Sequence, residues 1–172
     1  SRPGILNDLG YIRRTEGRLD EADLLYAKAL DAATEAFGSA HPYCATILNN
    51  RGQVAYARRD WSTADEYYRE ALKILEANDR QSPAIAAIYN NLGALNQSQS
   101  HYAQAEKYYR RALAIDLKLH GDMDDSVGRD LNNLGVLASD LRHFQEAETS
   151  LSRALEIRSR TLGENHPDYA AT

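Results

Sequence analysis

Asn132-Asn133-Leu134-Gly135 is one of four versions of a single tetrapeptide; the others are Asn7-Asp8-Leu9-Gly10, Asn49-Asn50-Arg51-Gly52 and Asn90-Asn91-Leu92-Gly93. From Gly10 to Gly52, Gly93 and Gly135 the glycines step by 42, 41 and 42 residues. A period in that range marks a solenoid, in which one supersecondary unit stacks on copies of itself. Solenoids display an extended surface for something else to bind, and they rarely do chemistry.

Working outward from each box, twelve residues after the glycine comes an alanine: Ala22, Ala64, Ala105 or Ala147. Four further on stands a large residue, Tyr26, Tyr68, Tyr109 or Leu151. An Ala-Leu pair follows at Ala29-Leu30, Ala71-Leu72, Ala112-Leu113 and Ala154-Leu155. Apolar positions recur three and four apart, as in Ala105, Tyr108, Tyr109, Ala112 and Leu113, which is the spacing of an amphipathic helix. Alternating β-branched runs and Asn-Gly hairpin turns are missing, so no strand is expected. The unit reads as helix, short turn, helix, longer turn. Helices are expected over about 4–15, 20–37, 43–58, 62–77, 83–99, 103–119, 125–140 and 144–162. The short turns are Glu16-Gly17-Arg18-Leu19, Arg59-Asp60-Trp61, Ser100-His101-Tyr102 and Arg142-His143-Phe144. Each is expected to tuck its leucine or aromatic under the next helix.

Glycine inside a helix costs about 1 kcal/mol relative to alanine. Its return at one register implies a neighbouring helix too close for a side chain. The repeated alanines fit the same account, since small residues set the distance between paired helices.

The bulk properties narrow the function classes. A net charge of −5 argues against a nucleic-acid-binding surface, which would show a basic excess. No apolar run is long enough for a membrane span and no N-terminal stretch resembles a signal peptide. One cysteine, Cys44, rules out an internal disulfide framework and fits a reducing compartment, so the cytoplasm is expected. Cys44 follows His41 and lies in the first turn of a helix, where thiolates are favoured. It occupies a repeat position without an orienting third group, and reads as structural filler. The histidines lack metal-ligand spacing. Asp122, Asp124 and Asp125 suggest a calcium loop, but Val127 and Asn133 stand where that loop needs glycine and glutamate. They read instead as an acidic linker at a helix N-terminus. Phosphate-cradling, HExxH and GxSxG motifs are absent from the sequence, so neither catalysis, metal nor cofactor is expected. The Tyr67-Tyr68 and Tyr108-Tyr109 pairs fall at helix-packing positions.

These residues resemble the tetratricopeptide repeat, which places Leu-Gly in its first helix and Ala, a large residue and Ala in its second. The longer period is similar to that of kinesin light chains and many bacterial scaffold proteins. The linkers strengthen the likeness: Phe37-Gly38-Ser39-Ala40-His41-Pro42-Tyr43-Cys44-Ala45 and Leu162-Gly163-Glu164-Asn165-His166-Pro167-Asp168-Tyr169-Ala170 resemble the Leu-Gly-x-x-His-Pro-x-x-Ala segment of that variety. There glycine ends a second helix, and proline opens the next with φ already helical. The resemblance implies an all-α, right-handed α-solenoid forming a single array. Its repeats would cover about 1–41, 42–82, 83–124 and 125–166, with the start of a further repeat at 167–172. Without a polar capping helix after the fourth repeat, the chain is expected to be a fragment of a longer array whose terminal faces support self-association.

The resemblance also implies a site. First helices of this family line a concave groove, and its positions here are Asn7, Asp8, Tyr11 and Arg14; Asn49, Asn50, Gln53 and Tyr56; Asn90, Asn91, Ala94 and Gln97; and Asn132, Asn133, Val136 and Ser139. An amide offers donor and acceptor together and can grip a peptide backbone whatever its side chains. The alternative is that one asparagine per box caps or bridges neighbouring helices. Members that clamp a chaperone's C-terminal carboxylate use cations where this chain has Asn7, Ala87 and Asn91, and only Asn50 matches, so that partner is not expected. Arg51 replaces Leu9, Leu92 and Leu134 and either reaches an acidic partner or carries its charge to a nearby carboxylate. The leading expectation is a non-enzymatic scaffold binding an extended peptide or helix of a protein partner, without nucleic acid or membrane. The alternatives are a docking or sensor arm of a larger enzyme or signalling protein, and a self-associating spacer.

Overall fold

A computed structural model describes residues 1–78 and 82–161. Those residues form eight helices and no strand: α1 Arg2–Thr15, α2 Leu19–Phe37, α3 Pro42–Ala57, α4 Trp61–Asn78, α5 Pro83–Ser98, α6 Tyr102–His120, α7 Asp125–Asp140 and α8 Phe144–Thr161. Every boundary lies within two residues of the position expected from periodicity. The second expected linker, from Leu162 to Ala170, and the start of a further repeat lie outside the described residues.

Each short turn closes the same way. In the first, the Arg18 N–H donates to Arg13 O at 2.8 Å and the Gly17 N–H to Arg14 O at 3.0 Å. This pair of bonds satisfies the last carbonyls of α1 and requires a left-handed residue between them. Gly17 supplies it at φ 77°, whereas Arg59, Ser100 and Arg142 take the same role at φ 61°, 61° and 60°. The longer turns use different chemistry. Gly38 leaves α2 at φ 88°, then His41 Nδ1 accepts from the Tyr43 N–H at 3.1 Å while Pro42 opens α3. Asp124 caps α7 by accepting from the Ser126 N–H at 2.9 Å, and the Ser126 bonds hold its carboxyl below the usual range. The acidic linker is thus a helix cap.

The helices group into two compact units, Ser1–Arg80 and Gln81–Thr172, each holding two helical pairs. Within the first, α1 packs on α2, α3 on α4, and α2 on α3. Its core joins Ala22, Tyr26, Ala29 and Ala33 of α2 to Cys44, Ile47 and Val54 of α3. Cys44 Sγ lies 3.5 Å from Gly38 O and is buried, as filler should be. In the second unit Ala105 and Tyr109 of α6 meet Leu134 and Leu137 of α7.

The box glycines prove to be sockets for the large residue of the paired helix. A Cβ on Gly93 would come within 2.5 Å of the Tyr109 ring, and one on Gly10 within 2.7 Å of Tyr26. Gly52 meets Tyr68 in the same way, and Gly135 meets Leu151. One expected contact differs. Leu19 and Tyr102 pack against the following helical pair of their own unit, but Phe144 is 66% exposed, because no described helix follows α8 to cover it.

Candidate functional site on the first helices

The polar faces of the first helices are set by what their other sides bury. On α3, Cys44, Ala45, Ile47, Leu48, Gly52, Val54 and Ala55 are buried. Thr46, Asn49, Asn50, Gln53 and Ala57 therefore form a partly or fully exposed strip, three and four residues apart. Gly4, Asn7, Asp8, Tyr11 and Arg14 make the matching strip of α1, and the two helices touch. In the second unit the strips run through Ala87, Asn91, Ala94 and Gln97 on α5, and through Asn132, Asn133, Val136 and Ser139 on α7.

The asparagines bind each other across repeats. Asn50 Nδ2 donates to Asn7 Oδ1 at 2.9 Å, and Asn133 Nδ2 donates to Asn90 Oδ1 at 3.1 Å. The second amide of one box thus braces the first amide of the preceding box. Asn7, Asn50 and Asn133 keep part of their surface open to solvent. Asn90 does not: it is 8% exposed and its Nδ2 also donates to Asp130 Oδ1 at 2.6 Å. Its expected place in direct contact with a partner is corrected to bracing, because both ends of its amide are engaged inside the unit. Gln97 is fixed likewise, accepting from Tyr109 Oη at 2.9 Å and donating from Nε2 to Asp140 Oδ2 at 2.6 Å. Arg51 follows the carboxylate alternative, with Nε 2.9 Å from Asp23 Oδ1 and its guanidinium 4.5 Å from the centre of the Tyr67 ring.

Two features were not anticipated. Asp130 of α7 and Asp116 of α6 are 0% and 1% exposed, and Arg129 reaches both, at 3.7 Å and 3.2 Å. Burial pushes the Asp130 carboxyl up to about 7, with Asp116 adding to the rise and the Asn90 bond and Arg129 opposing it. The signal was available in register: Asp130 stands where the other repeats have Ile5, Ile47 and Ile88. The second feature is a cluster of phenols around Arg14. Its Cζ lies 5.3 Å from the Tyr11 ring centre, and burial pushes the Tyr26 phenol up while Arg14 pulls it down. Tyr68 is pushed up by burial too, with a smaller contribution from Tyr56.

Paired helices joined by left-handed turns, with a glycine socket in one helix filled by a large residue of the next, define a helical-repeat protein of the α-solenoid class. Comparison with known proteins gives the family. Tetratricopeptide repeat models match residues 2–77 and, in a second form, 85–126 and 131–168. The chain belongs to the tetratricopeptide repeat family, in the longer, kinesin-light-chain-like variety. It is 34% identical to BtubC (BKLC) from P. vanneervenii, whose crystal structure it matches with a TM-score of 0.82 over 96% of this chain and 66% of that one. A kinesin-light-chain-type protein of Podosopora anserina with nearly identical TPR-like repeats shares the fold at 19% identity and a TM-score of 0.79, covering 99% of this chain and 81% of that one. A point variant of it gives 18% identity and the same TM-score, over 99% of this chain and 82% of that one. No curated protein sequence matches this chain significantly. Tetratricopeptide repeats mediate protein–protein interactions. Among the described residues no helix is long and apolar enough to cross a membrane.

Proposed function

We propose that this protein is a non-enzymatic scaffold whose first-helix strips bind an extended peptide segment of a protein partner. The observation that supports this is the amide bracing. Within each unit one amide pair, Asn50 on Asn7 in the first and Asn133 on Asn90 in the second, holds polar groups in fixed orientation while Asn7, Asn50 and Asn133 stay partly open. Side chains already ordered before binding lose less entropy when a partner arrives. Tyr11, 54% exposed on the same strip, offers an apolar surface for alternate side chains of such a segment. The test is a display selection of random peptides on the full chain, followed by affinity measurements on a Tyr11→Ser/Gln53→Ala/Asn132→Ser variant. Selected peptides should bind the variant at least about tenfold more weakly while its melting temperature holds. Equal affinity for both proteins would refute the reading.

Self-association is a second reading, favoured by one observation. Ile5, Leu9 and Ile12 are 62%, 39% and 45% exposed along one side of α1, whereas Ile47 and Val54, at the registers of Ile5 and Ile12, are buried against α2. Sedimentation across a range of concentrations decides it, a strict monomer counting against.

A further inference from the structure

The buried acids of the second unit are connected to its polar strip. Asp130 of α7 and Asp116 of α6 meet across the contact between those helices, 0% and 1% exposed, and a hydrogen bond joins their carboxyls. Such a bond needs a proton on one of the two. Asp130 Oδ1 accepts from Asn90 Nδ2 at 2.6 Å, and Asn90 Oδ1 accepts from Asn133 Nδ2 at 3.1 Å. Asn90 is buried, whereas Asn133 lies partly open on the strip. Three consecutive bonds thus run from Asp116, in the interior, to an amide that meets solvent.

The first unit has the same amide pair without the acids. Asn50 braces Asn7 at 2.9 Å, but Ile47 and Ala33, both fully buried, stand at the registers of Asp130 and Asp116. Apolar side chains make the contact there, so packing alone does not require the carboxyls. Asn90 reaches Asp130 from α5 and Asp116 reaches it from α6. Arg129, beside it on α7, lies 3.7 Å from its Oδ1 and 3.2 Å from Asp116, while Arg158 of α8 lies 3.7 Å from Asp125 at the start of α7. Burial and Asp116 favour the proton on Asp130, and Asn90 and Arg129 favour its loss.

From these connections we infer that the acid pair is a proton-operated latch on the second unit's strip, holding Asn133 while the pair keeps its proton and releasing it when the proton leaves. In the closed state the Asp130 hydroxyl donates to Asp116 and its other oxygen accepts from Asn90. Loss of the proton to solvent leaves two carboxylates touching in a dry contact, so α6 and α7 loosen to admit water and Asn133 loses its brace. On the peptide reading above, a segment held by Asn133 binds less tightly above neutral pH and draws a proton onto the pair as it binds. The latch itself belongs to the free chain.

It is tested on the full chain without a partner, by following the side-chain amide signals of Asn133 and Asn90 in heteronuclear NMR from about pH 5 to about pH 8. In wild type both amides should change together with a midpoint at about 7. On the alkaline side the Asn133 amide protons should exchange with water about tenfold faster than the intrinsic rise with pH accounts for. Asn7 and Asn50 should show no such step. Asp130→Asn should abolish it while the signals of His101, His120 and His143 change as in wild type, which separates the acids from the imidazoles of the same unit. Two further variants keep Asp130 in place and move the midpoint instead: Asp116→Asn should lower it and Arg129→Gln should raise it. An Asn133 amide indifferent to pH, a step that survives in Asp130→Asn, or a midpoint unmoved in both other variants overturns the latch. Each of these results leaves the peptide reading standing, since that reading is decided by the affinities of selected peptides.

Discussion

Replacing Asp130 by asparagine should remove a pH dependence that belongs to the second unit alone. In the first unit the contact between α2 and α3 at this register joins Ala33 to Ile47, both apolar. In the second, α6 and α7 bring Asp116 and Asp130 to the same places, and both carboxyls are buried. The charged and titratable groups around Asp130 are Asp116 on α6 and Arg129 beside it on α7, with the Asn90 amide on α5. Its folded pKa is raised from 3.8 to about 7. A carboxyl raised in the fold contributes stability that is complete below its unfolded pKa and is lost as pH climbs through the folded one. The window therefore runs from about pH 4 to about pH 7. A rise from 3.8 to about 7, at about 1.4 kcal/mol for each tenfold change in acidity, sets a ceiling of about 4 kcal/mol on the loss. Asparagine keeps the shape and the acceptor for Asn90, and its own N–H can point to Asp116. Hydrogen exchange of the full chain, followed helix by helix at about pH 5 and about pH 8 and corrected for intrinsic exchange rates, separates the units. Protection of α5 to α7 should fall with pH in wild type and much less in Asp130→Asn, with α2 and α3 indifferent in both. A wild-type second unit equally stable at the two pH values would refute the reasoning, and so would an undiminished fall in the variant.

Gly93→Ala should destabilise the second unit by about 1–3 kcal/mol, because the new Cβ meets the buried Tyr109 ring at 2.5 Å and the helix-propensity gain of about 1 kcal/mol does not offset it. Urea unfolding measures the shift, and a more stable variant would show that the ring yields. Ala105→Leu, at a fully buried register, should cost a similar roughly 1–3 kcal/mol by overpacking in the same assay. Ser100→Gly should stabilise by up to about 1 kcal/mol, since serine is held at φ 61° where Gly17 serves elsewhere; an unchanged melting temperature would count against strain at that turn.

Period and small-residue pattern made the eight helices legible, because each repeats a constraint that a single copy would leave ambiguous. What the glycines face was harder to read. Spacing indicates that a side chain is excluded; only the packed structure identifies the excluding group as Tyr26, Tyr68, Tyr109 or Leu151. The asparagines were legible as polar positions on the first helices, but not as pairs. Whether Asn50 meets a partner or Asn7 depends on the lateral distance between α1 and α3, and no spacing within one helix reports that distance.

Departures from the register carry the information that the repeat itself lacks. Arg51 in place of leucine is absorbed locally, by Asp23 and the Tyr67 ring, so it needs no partner from outside. Asp130, in place of isoleucine, is absorbed only in part: Asn90 and Arg129 serve its Oδ1, while the neighbouring Asp116 favours the protonated form. The result is a proton held near neutral pH, which couples stability to acidity. A substitution answered within the fold tunes the fold, and needs no partner from outside to account for it.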